Sequence, residues 1–398
     1  MNVGIVSTWF ERGAAYVSRQ YMKAIQTDPD NEVFVYARSG ESYGKNQSDW
    51  DKEFVTWGKI SKKYYSGDIG LMVKKDFTRW LTKNRIDIVL FNEQNWWPPV
   101  VWCKELGIKT GTYVDYYKED TVPFFAMYDY IFCNTRRHYL LFKDIPQTYF
   151  IPWGTETDVF NVKRQKNDHL TFFHSAGMNP KRKGTDTVID AFLKLPKGHQ
   201  AKLLIHTQRK LETCLEHFDP SIYHHPDIEI RTATIPAPGL YGLGDVYVYP
   251  SILDGLGLTV VEALSCGLPC IVSNHAPMNE FIQDGVNGKL VDIEYLYSRS
   301  DGYFWPQCKV STDSLVEQMM YYIKHFSDLD IFQEQARLSA VKDYDWGDRS
   351  EMICTILKKV KAKPFDKALA NRIKQYERKK NGKYNLVPYL FYFFKKLM

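Results

Sequence analysis

Residues 249–270 read YPSILDGLGLTVVEALSCGLPC. The strand-like VYVYPS (246–251) runs into a loop, SILDGLG, and then into LTVVEALSCG, which has helix-forming character and a glycine stop. Gly255 and Gly257 lack side chains, so a ligand can approach the backbone closely there. The first amides of the following helix have no partners within it, and the helix dipole adds partial positive charge. The turn Gly255-Leu256-Gly257 with the amides of Gly257, Leu258 and Thr259 could therefore hold a pyrophosphate. Asp254, at the tip of the loop, could contact a sugar. Glu262, about one helical turn later, could accept hydrogen bonds from ribose hydroxyls. The competing reading is an ordinary helix start behind a glycine loop.

A second stretch bears on that choice. Residues 174–192, HSAGMNPKRKGTDTVIDAF, end a strand at Gly177, carry Lys181, Arg182 and Lys183 in a loop, and open a helix at Gly184. Three cations beside a helix N-terminus are unfavourable unless an anion shares the site or the side chains reach into water. A diphosphate clamp and a solvated basic loop are the two readings. The anion-binding turn in the same half favours the clamp.

Working outward, VGIVSTW (3–9), EVFVYAR, DIVLFN, TGTYVD and YIFCN read as buried strands, separated by helical FTRWLTKN, VVWCKEL and RRHYLLFK. After an aperiodic stretch at 151–168 the alternation restarts with LTFFHSAG, AKLLIHTQ, IEIRTATI, VYVYPS and PCIVSN. Beyond Trp346 only helical segments remain. This predicts an α/β chain of two doubly wound domains facing a cleft, 1–160 and 161–345, with helices of 346–398 packing across them.

The two motifs resemble the large family of retaining GT-B glycosyltransferases that includes sucrose synthase and many bacterial polysaccharide and lipid glycosyltransferases. Its acidic-x7-acidic signature, of the form EGFGLTxLEAxAxGxPVI, is matched by DGLGLTVVEALSCGLPCIVS, with Asp254 in place of the first Glu. Its G-R-x-x-x-x-K-G segment is matched from Gly177 to Gly184 with Lys183 in register, but Met178 stands where the family has arginine. ERGAAYVSRQYMKAI, with Gly13, loosely follows the family's glycine loop and first helix. The resemblance implies transfer of a sugar from a nucleotide diphosphate donor, a UDP- or GDP-sugar, with retention of configuration. It implies neither metal nor cofactor, because Lys183, Arg182 and the helix amides would neutralise the departing phosphate. Asp254, Lys183 and Glu262 would be the catalytic set.

In the first domain the family's T-x-H-D-like context corresponds to TGTYVDYYKED, with Val114 at the histidine position and Asp115 next to it. Asp115 with Tyr116, Tyr117 and Lys118 could contact sugar or acceptor, or form a solvated strand end. NEQNWWPP (92–99) offers Glu93, Asn95, Trp96 and Trp97 as an aromatic and polar acceptor wall. His174 and His206 read as packed histidines.

Composition bounds the rest. The 398 residues are 44% hydrophobic and 25% charged, the ordinary globular range. Seven scattered cysteines without a C-x-x-C pair point away from a disulfide framework or zinc site and toward the cytoplasm. No stretch approaches the roughly twenty apolar residues of a membrane-spanning helix, and MNVGIVSTW lacks the basic start and apolar run expected of a signal peptide. Residues 358–398 hold 13 Lys/Arg against 2 Asp/Glu, leaving 39 against 45 in the remainder. That tail ends in KYNLVPYLFYFFKKLM, which could rest on an anionic membrane face, which would fit a lipid-linked acceptor, or pack as a terminal helix. No recognition module accompanies the charge, so nucleic acid is not expected. A catalytically silent sugar-nucleotide-binding subunit is the alternative to an enzyme.

Overall fold

The structure is a computed structural model, and it describes residues 1–38, 42–60, 71–163 and 168–382. The chain divides into two compact units: residues 1–134, 138–151 and 347 onward, and residues 135–137 with 152–346.

In the first unit, strands β1 (Asn2–Ser7), β2 (Glu32–Ala37), β3 (Val55–Trp57), β4 (Ile88–Phe91), β5 (Lys109–Tyr113), β6 (Tyr130–Cys133) and β7 (Thr148–Phe150) form one parallel sheet in the order β3-β2-β1-β4-β5-β6-β7. Helices α1 (Gly13–Gln26), α2 (Lys74–Lys83), α3 (Pro98–Glu105) and α4 (Arg136–Phe142) fall between them, the first two residues of α4 grouping with the second unit. The reversal of strand order on either side of β1 is the doubly wound pattern. The central strands are apolar because both of their faces are covered: all four residues of β4 and of β6 are buried.

The second unit repeats the scheme with β8 (Leu170–Gly177), α5 (Thr185–Leu193), β9 (Ala201–Thr207), β10 (Ile228–Thr232), β11 (Val246–Tyr249), α6 (Leu258–Ser265), β12 (Cys270–Ser273) and β13 (Gly288–Val291). Its sheet runs β10-β9-β8-β11-β12-β13, all parallel. Phe172, Val188, Phe192, Val248, Ile271 and Met319 share its core, each worth roughly 1.5–3 kcal/mol of burial. An antiparallel hairpin, β14 (Ile293–Tyr297) and β15 (Gln307–Val310), follows where the sequence shows no strand. Helices α7 (Thr312–Lys324) and α8 (Leu329–Asp343) complete the unit.

Of the last helices, α9 (Trp346–Lys359) and α10 (Lys367–Gly382), all but Trp346 belong with the first unit. Cys354 Sγ lies 3.3 Å from the Ala24 carbonyl. Glu377 accepts the Trp97 amide at 3.0 Å, and Tyr376 meets Phe124 edge-on. The aromatic and lysine-rich end, 383–398, lies outside the described residues. Among the described residues no helix is long and apolar enough to cross a membrane.

Candidate active site

The two motifs of the second unit meet because strands β8 and β11 are hydrogen-bonded neighbours. Each ends in a loop that leads into a helix, α5 after β8 and α6 after β11. Gly184, the residue before α5, has φ 74°, and a Cβ there would stand 2.3 Å from the Pro250 carbonyl oxygen. Glycine is thus what lets the basic loop lie against the end of β11. His174 strengthens the junction. One ring nitrogen lies 2.7 Å from the Val248 carbonyl and the other 2.8 Å from the Thr185 hydroxyl. Burial pulls its imidazole down to about 4, so it is neutral and structural.

That junction delivers Lys183 to Asp254. The ammonium is 2.5 Å from Asp254 Oδ2, with side-chain exposures of 14% and 11%. It also donates to the Tyr249 hydroxyl and stands 4.7 Å from that ring's centroid. Tyr249 donates to the same Asp254 oxygen at 2.6 Å. Burial would raise the Asp254 carboxyl, but the charges of Lys183 and Arg182 and the Lys183 and Tyr249 hydrogen bonds hold it well below the usual carboxylate range. For Lys183 burial wins over the Asp254 charge and brings the ammonium down to about 8. Arg182 turns its guanidinium to the Leu253 carbonyl at 3.1 Å. Lys181 forms an exposed pair with Glu216.

The signature loop differs in one respect from expectation. Gly257 does precede α6, with φ 72°, but its amide points at Asp254 Oδ1 at 3.1 Å, and the Leu256 amide lies 3.3 Å from the same atom. Asp254 folds back three residues to cap the turn, so Gly257 is not an open donor, and both carboxylate oxygens are engaged within the protein. The amides of Leu258 and Thr259 are the first-turn donors left to a ligand. Glu262 is half-buried on α6 and accepts from the Tyr241 hydroxyl at 2.7 Å. Burial pushes its carboxyl up, against that hydrogen bond and the Lys183 charge.

Sequence reasoning missed Tyr249, Tyr241 and Arg137. Arg137, grouped with the second unit, donates to the carbonyls of Asp254 (2.8 Å), Gly255 (3.3 Å) and Ala276 (2.7 Å). Its guanidinium lies 5.3 Å from the Trp305 ring centroid. Glu280 accepts the amides of Arg136 and Arg137 at 2.5 and 2.9 Å, fixing where that arginine stands. Gly177 (φ 55°) and Gly13, first residue of α1, both face open space, and Met178 is 61% exposed.

In the first unit the expected aromatic wall is core instead. Trp96 is buried edge-on against Trp102, and Trp97 is buried among Phe124, Phe125 and Tyr128. Tyr117 packs on Phe125 and Phe142. A wide aromatic ring gains most by leaving water, and α3 and the segment after β5 offer it partners. Glu93 takes a left-handed φ of 46°, with its carboxylate 3.4 Å from both Arg12 and Arg38. Asp115 is half-buried two residues past β5.

Residues 169–297 match the family model described as Glycosyl transferases group 1. Sucrose synthase 6 of Arabidopsis thaliana is 39% identical over 72 residues, 15% of this chain and 8% of that protein. The Escherichia coli UDP-Gal:alpha-D-GlcNAc-diphosphoundecaprenol alpha-1,3-galactosyltransferase is 32% identical over 82 residues, 21% of this chain and 20% of that one. The matched stretches thus span a fifth or less of these relatives. Among solved structures, Anabaena Alr3699/HepE in complex with UDP superposes with a TM-score of 0.68 over 90% of this chain and 99% of that one, at 12% identity.

Proposed function

We propose, from the match of residues 169–297 to the glycosyl transferases group 1 model and from the GT-B fold of the chain, a retaining glycosyltransferase that takes its sugar from a nucleoside diphosphate. The carrying observation is the junction of the two loops, where Lys183 is held beside the start of α6. An ammonium has three hydrogens. Asp254 and Tyr249 take two, and the third is left for a diphosphate oxygen. Together with the Leu258 and Thr259 amides it would neutralise the charge that grows as the sugar departs, in a partly dry site where fixed donors act strongly. Glu262 would accept from the ribose hydroxyls. The bond from the anomeric carbon to the diphosphate oxygen breaks, the acceptor hydroxyl adds on the same face, and its proton goes to the leaving phosphate. The protein supplies the positive charge, so no metal is assigned.

The solved neighbour with UDP makes UDP-sugars the first donors to try, with a carbohydrate or lipid-linked acceptor. UDP-, GDP- and ADP-sugars should be screened for thermal stabilisation and for slow hydrolysis in the presence of EDTA. At least one donor is expected to stabilise the protein and be hydrolysed; stabilisation without turnover would favour a silent binding subunit, a reading to which the exposed Met178 lends support.

The reading also fixes a pH dependence. Lys183 is protonated below about 8 and neutral above it. With the hydrolysed donor, kcat/KM should therefore hold through neutral pH and fall about tenfold per unit on the alkaline side. A profile flat to pH 10 would remove Lys183 from the phosphate.

A further inference from the structure

Three tyrosines lie beneath the two acidic residues. Tyr247 and Tyr249, two apart on β11, share one face and stack with ring centroids 5.5 Å apart at 17°. Tyr241 meets Tyr247 at 5.8 Å. All three are buried, and a buried phenol needs a hydrogen-bond partner. The two outer rungs each find a carboxylate of the signature: Tyr241 donates to Glu262 Oε2 at 2.7 Å and Tyr249 to Asp254 Oδ2 at 2.6 Å.

We propose that this ladder positions both carboxylates, and that Tyr249 is the positioning residue that locks Asp254 into its bridge to Lys183, while Tyr241 acts on Glu262. The functional meaning rests on the donor site proposed above; the geometry does not. A phenol O–H spreads the Asp254 charge and so weakens its hold on the ammonium. The groups that face Lys183 are Asp254, Tyr249, Arg182, Glu262 and His174. Of these, Tyr249 alone donates a neutral hydrogen bond to its counter-ion. The same hydroxyl also accepts directly from the ammonium. Without it, Lys183 loses one of its two hydrogen-bond acceptors in a buried place, a direct loss that outweighs the firmer grip of Asp254, and it should give up its proton at lower pH.

The test uses the ligand-free full chain with ε-13C-labelled lysine, titrated by NMR. The Lys183 resonance is assigned by its loss in Lys183→Met. Tyr249→Phe keeps the ring, the stack and the cation–π contact. Its Lys183 titration should move down by about half a unit or more, while Tyr241→Phe, the same deletion two rungs away, should leave it within about 0.2 units. Coincident titrations of Tyr249→Phe and the unmodified protein, or an equal shift in Tyr241→Phe, would overturn the proposal. Failure of every nucleotide sugar to bind would sink the donor site and leave this titration standing as a separate result.

Discussion

Lys183→Ala should lower turnover of the donor about 10²–10³-fold, the usual loss when one fixed donor to a developing oxyanion is removed. The same change strands Asp254. Its carboxylate is 11% exposed and keeps the Tyr249 hydroxyl and the Leu256 and Gly257 amides, but it loses the cation that neutralises it. Breaking a largely buried pair from one side typically costs about 3–5 kcal/mol. The remaining hydrogen bonds put this case toward the lower end. The variant should fold, melt earlier, and bind nucleoside diphosphate more weakly while losing kcat. Rate assays beside circular dichroism separate the two effects, and near-normal turnover in a folded Lys183→Ala protein would mean that the diphosphate sits elsewhere.

What the sequence makes legible follows from what it can encode locally. The alternation of apolar runs with helical stretches reads out both sheets. The spacing of the G-x-x-x-x-x-K-G and acidic-x7-acidic stretches singles out Lys183 and Asp254, which the fold then joins. The edge strands β3, β7 and β13 escape because three or four residues each are too few to show a period. The hairpin strand β14 escapes for another reason: Tyr295, Leu296 and Tyr297 are all exposed, so no alternation marks it. Trp96 and Trp97 illustrate a limit of composition, since a tryptophan pair looks the same whether it lines a wall or fills a core. The capping of Gly257 was within reach. An aspartate three residues ahead of a helix-start glycine is a local pattern in which the side chain turns back on the backbone. Tyr241, Tyr249 and Arg137 carried no such signal, because each matters only through a partner that tertiary structure brings to it.

The second large effect concerns the backbone that makes the junction possible. Gly184→Ala should cost about 3 kcal/mol of stability, while Gly177→Ala, seven residues earlier in the same motif, should cost about 1. Both positions take a left-handed φ, 74° and 55°, so both substitutions carry the same strain. They differ in what a methyl group meets. At Gly177 there is open space; at Gly184 the new carbon would stand 2.3 Å from the Pro250 carbonyl oxygen and 3.1 Å from its carbonyl carbon. Those are main-chain atoms between β11 and the signature loop, so no side-chain rotation relieves the overlap. The loop that carries Lys183 must then withdraw from Asp254, and donor affinity should fall along with stability in Gly184→Ala only. Chemical denaturation of the two variants, with nucleotide titration at equal pH, measures both. Equal losses at the two glycines would show that left-handed strain alone sets the cost and that the approach of the two loops does not depend on the missing side chain.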